Sequence, residues 1–330
     1  MFSNLKNILQ GQPSFRYKQV NEAIIKNFIS DWSEAKNLPK DLIQKLSTEF
    51  PLEINATSFE DEFAHKALIK FEDDVCIETV LMKYRDRNTV CLSVQAGCPL
   101  KCSFCATGQS GFKRNLTDWE IVVQALFFAR VLKREGKKID NIVFMGMGEP
   151  FLNTENVLEA IKTLNDKEGF NIGARSISIS TVGIIDGIKK LADFPLQVNL
   201  AISLHASNDK IRSQLMPINS KYPLSKIFKA IEAYIIKTNR KVMLEYIMIE
   251  ELNDHIKMAK ELVQIIKSLH KPLVMVNLIP YNETSKYKAS SKLRMEGFRD
   301  VLLKNGIDCI TRRSLGRNIN GACGQLAGKN

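Results

Sequence analysis

From about residue 89 onward, short apolar runs and helical stretches take turns, and this alternation restricts the fold more than any other feature of the chain. Strand-length runs fall at 90–94, 142–145, 176–180, 198–204, 242–248 and 273–279. Helical patterns lie between them. The first opens at Thr117-Asp118-Trp119-Glu120, where a threonine and a glutamate three residues on can cap the turn ahead of Ile121, Ala125, Leu126 and Phe128. Further helices are expected around 157–164, 184–191, 224–236, 256–269 and 292–304. Parallel neighbours need a long crossover, which a helix supplies, so the pattern implies parallel βα units in an α/β fold. Six units build either a doubly wound sheet or an incomplete barrel, and periodicity does not choose between them. Both gather their chemistry at the C-terminal ends of the strands.

Residues 1–60 read as a small helical module: Val20, Ile24, Ile25, Phe28 and Ile29 recur at helical spacing, and Pro39 separates off a second helix around 42–50. Residues 61–88 read as a hairpin linker, with strand patterns at 67–71 and 75–82 around Glu72-Asp73-Asp74. The βα units then occupy 89–305, and 306–330 form a C-terminal segment. At 330 residues and 45% apolar content the chain can bury one large core with a small appendage. It has no run of eighteen apolar residues and no charged-then-apolar start, so a cytoplasmic protein without a membrane partner is expected; a monomer is expected separately. Seven cysteines, unevenly spread, argue against a disulfide scaffold.

Three of the seven cysteines lie on one loop after the first strand, Cys98-Pro-Leu-Lys-Cys102-Ser-Phe-Cys105. Three thiolates this close can converge on a soft metal centre and leave one coordination position open. A closed zinc site needs a fourth ligand, and His65, His205, His255 and His270 are all remote in sequence. On spacing alone, a metal or cluster site stands against incidental or redox thiols.

Other residues are less specific by themselves. Gly146-Met147-Gly148-Glu149 ends the second strand, where missing Cβ atoms let backbone approach a ligand and Glu149 offers an acceptor to a cationic amine; a plain strand-to-helix turn reads the same way. Ser180, Ser203, His205 and Asn282 fall at strand ends, where short polar residues also make ordinary turns. Cys323 lies between glycines, without an apolar run, and reads as an exposed thiol. Cys91 reads first as a small buried hydrophobe, and Glu78 as the acid of a half-exposed hairpin strand.

The cysteine loop, with Phe104 before its last cysteine, resembles the signature of the radical S-adenosylmethionine (SAM) superfamily. Met145 to Pro150, Ser203-Leu204-His205, Asn277 to Asn282 and the C-terminal Ala322-Cys323-Gly324-Gln325-Leu326-Ala327-Gly328 resemble the RlmN/Cfr family of RNA adenine methyltransferases, over almost the whole chain. The resemblance implies a partial (β/α)6 barrel. It implies a [4Fe-4S] cluster on Cys98, Cys102 and Cys105, with SAM held by Gly148, Glu149, Ser180, Ser203, Leu204, His205 and Asn282.

It also implies catalytic roles for Cys323, Cys91 and Glu78. One SAM methylates Cys323; a second is cleaved to a 5′-deoxyadenosyl radical that activates the methyl group. The resulting protein–RNA adduct is resolved by loss of the ring proton to Glu78 or Cys91 and by a disulfide between Cys91 and Cys323. The implied partners are 23S rRNA, with tRNA as a second candidate, and a low-potential electron donor such as a flavodoxin. Pro150 and Pro280 look more like the branch that methylates adenine C2 than the antibiotic-resistance branch that methylates C8. A non-catalytic, zinc-containing RNA-binding protein is the alternative from another class.

The balance of 47 basic against 36 acidic residues suits a polyanionic partner. A basic run leads into Cys323: Lys286, Lys288, Lys292, Arg294, Arg299, Lys304, Arg312, Arg313 and Arg317, against Glu296, Asp300 and Asp308. Arg16, Lys18 and Lys26 of the N-terminal module form a second candidate surface.

Overall fold

The computed structural model describes residues 3–284 and 287–328. The chain opens with helices α1 (Ser3–Ile8), α2 (Ser14–Ile25) and α3 (Lys40–Glu49). Four strands follow, β1 (Ala56–Glu60), β2 (Ala64–Lys70), β3 (Cys76–Lys83) and β4 (Asn88–Cys91). A short ribbon of β5 (Gln95–Gly97) and β6 (Phe112–Asn115) encloses the one-turn helix α4 (Ala106–Gln109). Then come α5 (Asp118–Arg134), β7 (Asn141–Phe144), α6 (Thr154–Asn165), β8 (Ile177–Thr181), α7 (Ile185–Asp193), β9 (Asn199–Ser203), α8 (Asp209–Leu215), α9 (Leu224–Thr238), β10 (Val242–Met248), α10 (Ile256–Lys267), β11 (Val274–Pro280), α11 (Lys292–Lys304) and β12 (Cys309–Thr311).

The main sheet runs β1-β2-β3-β4-β7-β8-β9-β10-β11-β12. From β4 to β12 each pairing is parallel. Strand order follows chain order without the reversal that defines a doubly wound sheet, so the crossovers all advance in one direction, as in a barrel. The parallel strands are largely buried on both faces, as expected of strands covered by helices, but one face carries Ser178 and Ser180 of β8, Ser203 of β9, Glu245 of β10 and Asn277 of β11. The α5 capping box forms as read: Thr117 Oγ1 accepts from Glu120 N at 3.2 Å, and Glu120 Oε2 accepts from Thr117 N at 2.8 Å.

Three sequence expectations need amendment. The hairpin is no mere linker, because β3 pairs antiparallel with β4 and carries β2 and β1 into the main sheet. Strand β1 falls inside the segment expected to be helical; its alternating Thr57, Phe59 and polar neighbours carry too little apolar content to be seen alone. Helix α2 stops at Ile25, short of Phe28 and Ile29. The N–H groups of Lys26 and Asn27 both close onto Glu22 O, Phe28 turns left-handed at φ 52°, and Ile29 is buried by the turn instead. The N-terminal helices have their own core around Leu5, Ile24, Trp32 and Leu46, seated on Leu126 of α5. Arg130 of α5 ties it down by donating to Leu52 O at 2.8 Å and to Ile29 O.

Candidate active site

One cavity opens at the C-terminal ends of the parallel strands. Its walls take Cys91 from β4, Cys98, Cys102 and Cys105 from the loop that follows, Gly148 and Glu149 from beyond β7, and Ser180 from β8. Ser203 ends β9 and His205 lies just past it, Glu245 comes from β10, Arg312 from just past β12, and Cys323 from the C-terminal segment. Of the residues singled out in the sequence, Leu204, Asn282 and Glu78 do not line it.

The cysteine loop is a closed excursion. Cys98 N donates to Gly111 O at 2.8 Å across the ribbon, and Gly97 can lie there only because it has no Cβ, which would sit 1.8 Å from Gly111 O. Ser103 N donates to Leu215 O at 2.9 Å, fixing the far side to α8. Burial pushes the Cys98 thiol up to about 12, with Cys105 adding to it, and burial likewise pushes Cys102 well above the usual thiol value, helped by both other cysteines. Metal coordination would have to displace these protons. Among the described residues no three His, Cys, Asp or Glu side chains close around a single ion. An iron–sulfur cluster asks for less convergence, since each thiolate binds a different iron, and three soft donors on one cavity wall fit it.

The two glycines after β7 are also demanded by packing. A Cβ on Gly146 would lie 2.7 Å from Leu92 O, and one on Gly148, which has φ +97°, would lie 2.9 Å from Gln95 N. Glycine is required here by the adjacent β4–β5 segment, and both glycines also line the cavity, where the sequence expected a ligand to approach. Glu149 is then set by Gln95, whose Oε1 accepts from Glu149 N at 2.9 Å. Its carboxylate accepts from Phe151 N at 3.0 Å and Val182 N at 2.9 Å, yet burial outweighs these bonds and raises the carboxyl to about 7.

His205 is held left-handed at φ 59° by Asn253, whose Nδ2 donates to His205 O at 2.9 Å. Burial, aided by the Arg212 charge, lowers the imidazole to about 3, so it is neutral. Its Nδ1 accepts from Ile247 N at 3.1 Å, which leaves the ring proton on Nε2 as a donor. Ser180 Oγ lies 3.2 Å from Ser203 Oγ and donates to Glu245 Oε2. Asn282 is committed elsewhere: Nδ2 donates to Cys323 O at 2.9 Å and Oδ1 accepts from Arg317 Nε at 2.8 Å.

Cys91 and Cys323 face the same cavity, and all seven cysteines are free. Cys323 is exposed, but toward the cavity; the protein around it raises its thiol to about 11 by burial, while the Arg312 guanidinium opposes the rise. Burial raises Cys91 to about 12, again against Arg312. Sequence reading missed this shared cation. It placed Arg312 in a basic surface run, whereas Nη1 lies 3.7 Å from Glu245 Oε1 and 3.4 Å from Met145 Sδ. It also missed Glu245, whose Oε1 has no hydrogen-bond partner among the described residues; an acid within the apolar run of β10 was the available signal.

The basic run is likewise not one free face. Arg294 pairs with Asp254 at 3.0 Å and with Glu251, and Lys292 with Glu296 at 3.8 Å. Arg313 stays exposed, stacked 4.9 Å over the Phe63 ring at the cavity mouth. Lys286 lies outside the described residues.

Known proteins resemble the chain along its length. The profile of the Radical SAM superfamily matches residues 92–263. A relative from Caldicellulosiruptor saccharolyticus, named "Probable dual-specificity RNA methyltransferase RlmN", is 44% identical over 98% of this chain and 94% of its own. One of the same name from Dictyoglomus turgidum is 42% identical over the same shares. A radical SAM methyltransferase crystal structure from Sphaerobacter thermophilus superposes with a TM-score of 0.93 at 39% identity, covering 98% of this chain and 97% of that one.

Proposed function

The chain belongs to the RlmN family of radical SAM methyltransferases, and we propose that it methylates C2 of adenine in 23S rRNA, with tRNA as a second substrate, by way of a methyl group carried on Cys323. The observation that carries this reading is that Cys91 and Cys323, far apart in the chain, line one cavity with the three-cysteine loop. A thiol used only for packing has no reason to face that space.

Adenine C2 bears a hydrogen with no useful acidity, so simple electrophilic transfer from SAM does not reach it. Held by Cys98, Cys102 and Cys105, a [4Fe-4S] cluster would supply the electron that splits SAM and generates the radical. Everything else falls to the chain. Cys323 attacks the SAM methyl group as its thiolate, and Arg312 beside it favours that form. The adduct formed when the methyl carbon joins the ring must give up one electron, back to a cluster on the three cysteines, and the ring proton. The Cys91 thiolate then attacks the Cys323 sulfur, the S–C bond breaks, the released carbon takes a proton to become the methyl group, and a disulfide is left to be reduced. Arg312 serves both thiols, which share its charge. Of the two expected acceptors of the ring proton, Cys91 faces the cavity and Glu78 does not.

Glu149, Ser180, Ser203 and the Nε2–H of His205 form the polar wall for SAM, with Glu149 opposite its ammonium. Leu204 and Asn282 act behind that wall, through the backbone and through Cys323 O. Arg313 on Phe63 offers a cation and a ring face at the mouth, a pairing suited to a phosphate and an unstacked base. The excess of basic residues serves the same polyanion.

The raised carboxyl of Glu149 makes binding pH-dependent. Below about 7 the folded chain holds Glu149 neutral, so SAM affinity is expected to fall as pH drops from 8 to 6, approaching about tenfold per unit. Without SAM the sign reverses: the folded state binds the extra proton between the unfolded carboxyl value and about 7, so stability falls as pH rises through that window. Anaerobic titration calorimetry at each pH checks the affinity, and a flat profile contradicts the assignment of Glu149 to the ammonium.

Product mapping tests the function itself. rRNA and tRNA from a host lacking C2 and C8 methylation, expressing this chain, should contain 2-methyladenosine by mass spectrometry. An 8-methyladenosine product, or none, overturns the proposal. Anaerobically purified protein should carry iron and sulfide; zinc alone would favour the binding-protein alternative.

A further inference from the structure

The segment carrying Cys323 is tied down at three places. Cys323 O accepts from Asn282 Nδ2 at 2.9 Å. Past it, Gly324 O accepts from Ala106 N at 2.8 Å and Leu326 O from Thr107 Oγ1 at 2.5 Å, so the tail lies along the helix that ends the cysteine loop. The third tie is the strongest by charge: Ala327 N and Gly328 N both donate to Glu78 Oε2, at 2.6 Å and 2.8 Å. Gly328 adopts φ +67°, and a Cβ there would meet Met147 Cε at 2.9 Å and Cys76 O at 3.1 Å, so the tail presses directly on β3.

Both oxygens of Glu78 are engaged by this arrangement. Its other oxygen, Oε1, takes Lys66 Nζ at 2.6 Å, and the two side chains are only 2% and 8% exposed. On β3 it shares a face with Val80 and Met82, which line the cavity, but the tail covers it and it reaches no cavity wall. A carboxylate whose oxygens accept three charge-assisted or adjacent N–H donors cannot reach a substrate proton until those donors leave. Releasing them frees the two residues beyond Leu326 and leaves Cys323 held by the Asn282 and α4 ties alone. The two tasks, holding the tail and accepting a ring proton, therefore exclude one another in this arrangement.

We infer that Glu78, backed by Lys66, is a positioning residue: it latches the C-terminal tail through the Ala327 and Gly328 amides and thereby sets Cys323 over the cavity. The consequence for methyl transfer rests on the proposed role of Cys323, but the latch does not, and it can be read without turnover. Opening it is the movement by which Cys323 would leave the cavity wall.

Three variants of the full chain separate latch from base. Glu78→Ala should speed hydrogen exchange of the 327 and 328 amides and iodoacetamide alkylation of Cys323 by at least about tenfold. Its cluster absorbance should be unchanged. Glu78→Gln keeps an acceptor oxygen for the two amides, so both rates should stay within about threefold of the native chain. Deletion of residues 327–330 leaves the carboxylate in place and should reproduce Glu78→Ala, which also covers the case where that variant folds poorly because Lys66 is left unpaired. Unchanged exchange and alkylation in Glu78→Ala would overturn the latch. So would a deletion that leaves Cys323 alkylation unaltered while Glu78→Ala and Glu78→Gln both stop turnover, the pattern of a base. If the substrate is not RNA, the exchange and alkylation results stand as stated and only the methylation readout fails.

Discussion

Replacing Cys323 with alanine should reduce methylated RNA by at least about a thousandfold while leaving iron, sulfide and SAM binding at native levels. The separation follows from where the side chain sits. Cys323 is no part of the loop of Cys98, Cys102 and Cys105, and the tie that positions it uses its backbone carbonyl on Asn282, which alanine retains. Only the nucleophile is lost. Cys91→Ala removes a different step: Cys323 should still become methylated and join the substrate, but without a second thiol to attack its sulfur the RNA should stay covalently attached. A denaturing gel with labelled RNA distinguishes them, the alanine at 323 giving neither product nor adduct and the alanine at 91 giving adduct. Turnover by Cys323→Ala within tenfold of the native chain would exclude a methyl group carried on that sulfur.

The βα alternation and the cysteine loop were legible in the sequence because each rests on local pattern. The strand at 242–248 has the predicted bounds, and the cysteine loop follows β4 as read. What stayed hidden depends on contacts between distant segments. β12 is three residues long and pairs only because α11 delivers it beside β11, so no periodicity marks it. Arg312 and Arg313 are neighbours with identical side chains; one enters the cavity beside Glu245, and the other turns out over Phe63. Net charge cannot tell them apart. Glu78 and Glu245 are both acids in apolar strands, and only the tertiary structure shows that the first is covered by the tail and the second faces the thiols.

Arg212 was invisible for the same reason, and its loss should be strongly destabilising. It lies on α8 with no exposed surface, and burial lowers its guanidinium to about 10, still charged at neutral pH. Among the described residues no carboxylate pairs with it directly. Instead Nη2 donates to Val182 O at 2.7 Å and Ser203 O at 3.4 Å, Nε to Leu204 O at 3.1 Å, and Nη1 to Tyr222 O at 3.0 Å and Asn219 Oδ1 at 2.7 Å. One planar fork thus joins the exits of β8 and β9, which carry Ser180, Ser203 and His205. Arg212→Met fills most of the volume but leaves these buried acceptors without their donor, at a cost of about 3–5 kcal/mol. Lysine is no substitute, since a single ammonium cannot reach acceptors spread around a plane. Urea unfolding of the Met variant should show the lost stability as a lower midpoint, and SAM should bind more weakly to whatever remains folded. A midpoint shift worth less than about 1 kcal/mol would mean that the strand exits are held by the sheet alone. The cavity would then be preorganised by its strands, with Arg212 merely accommodated between them.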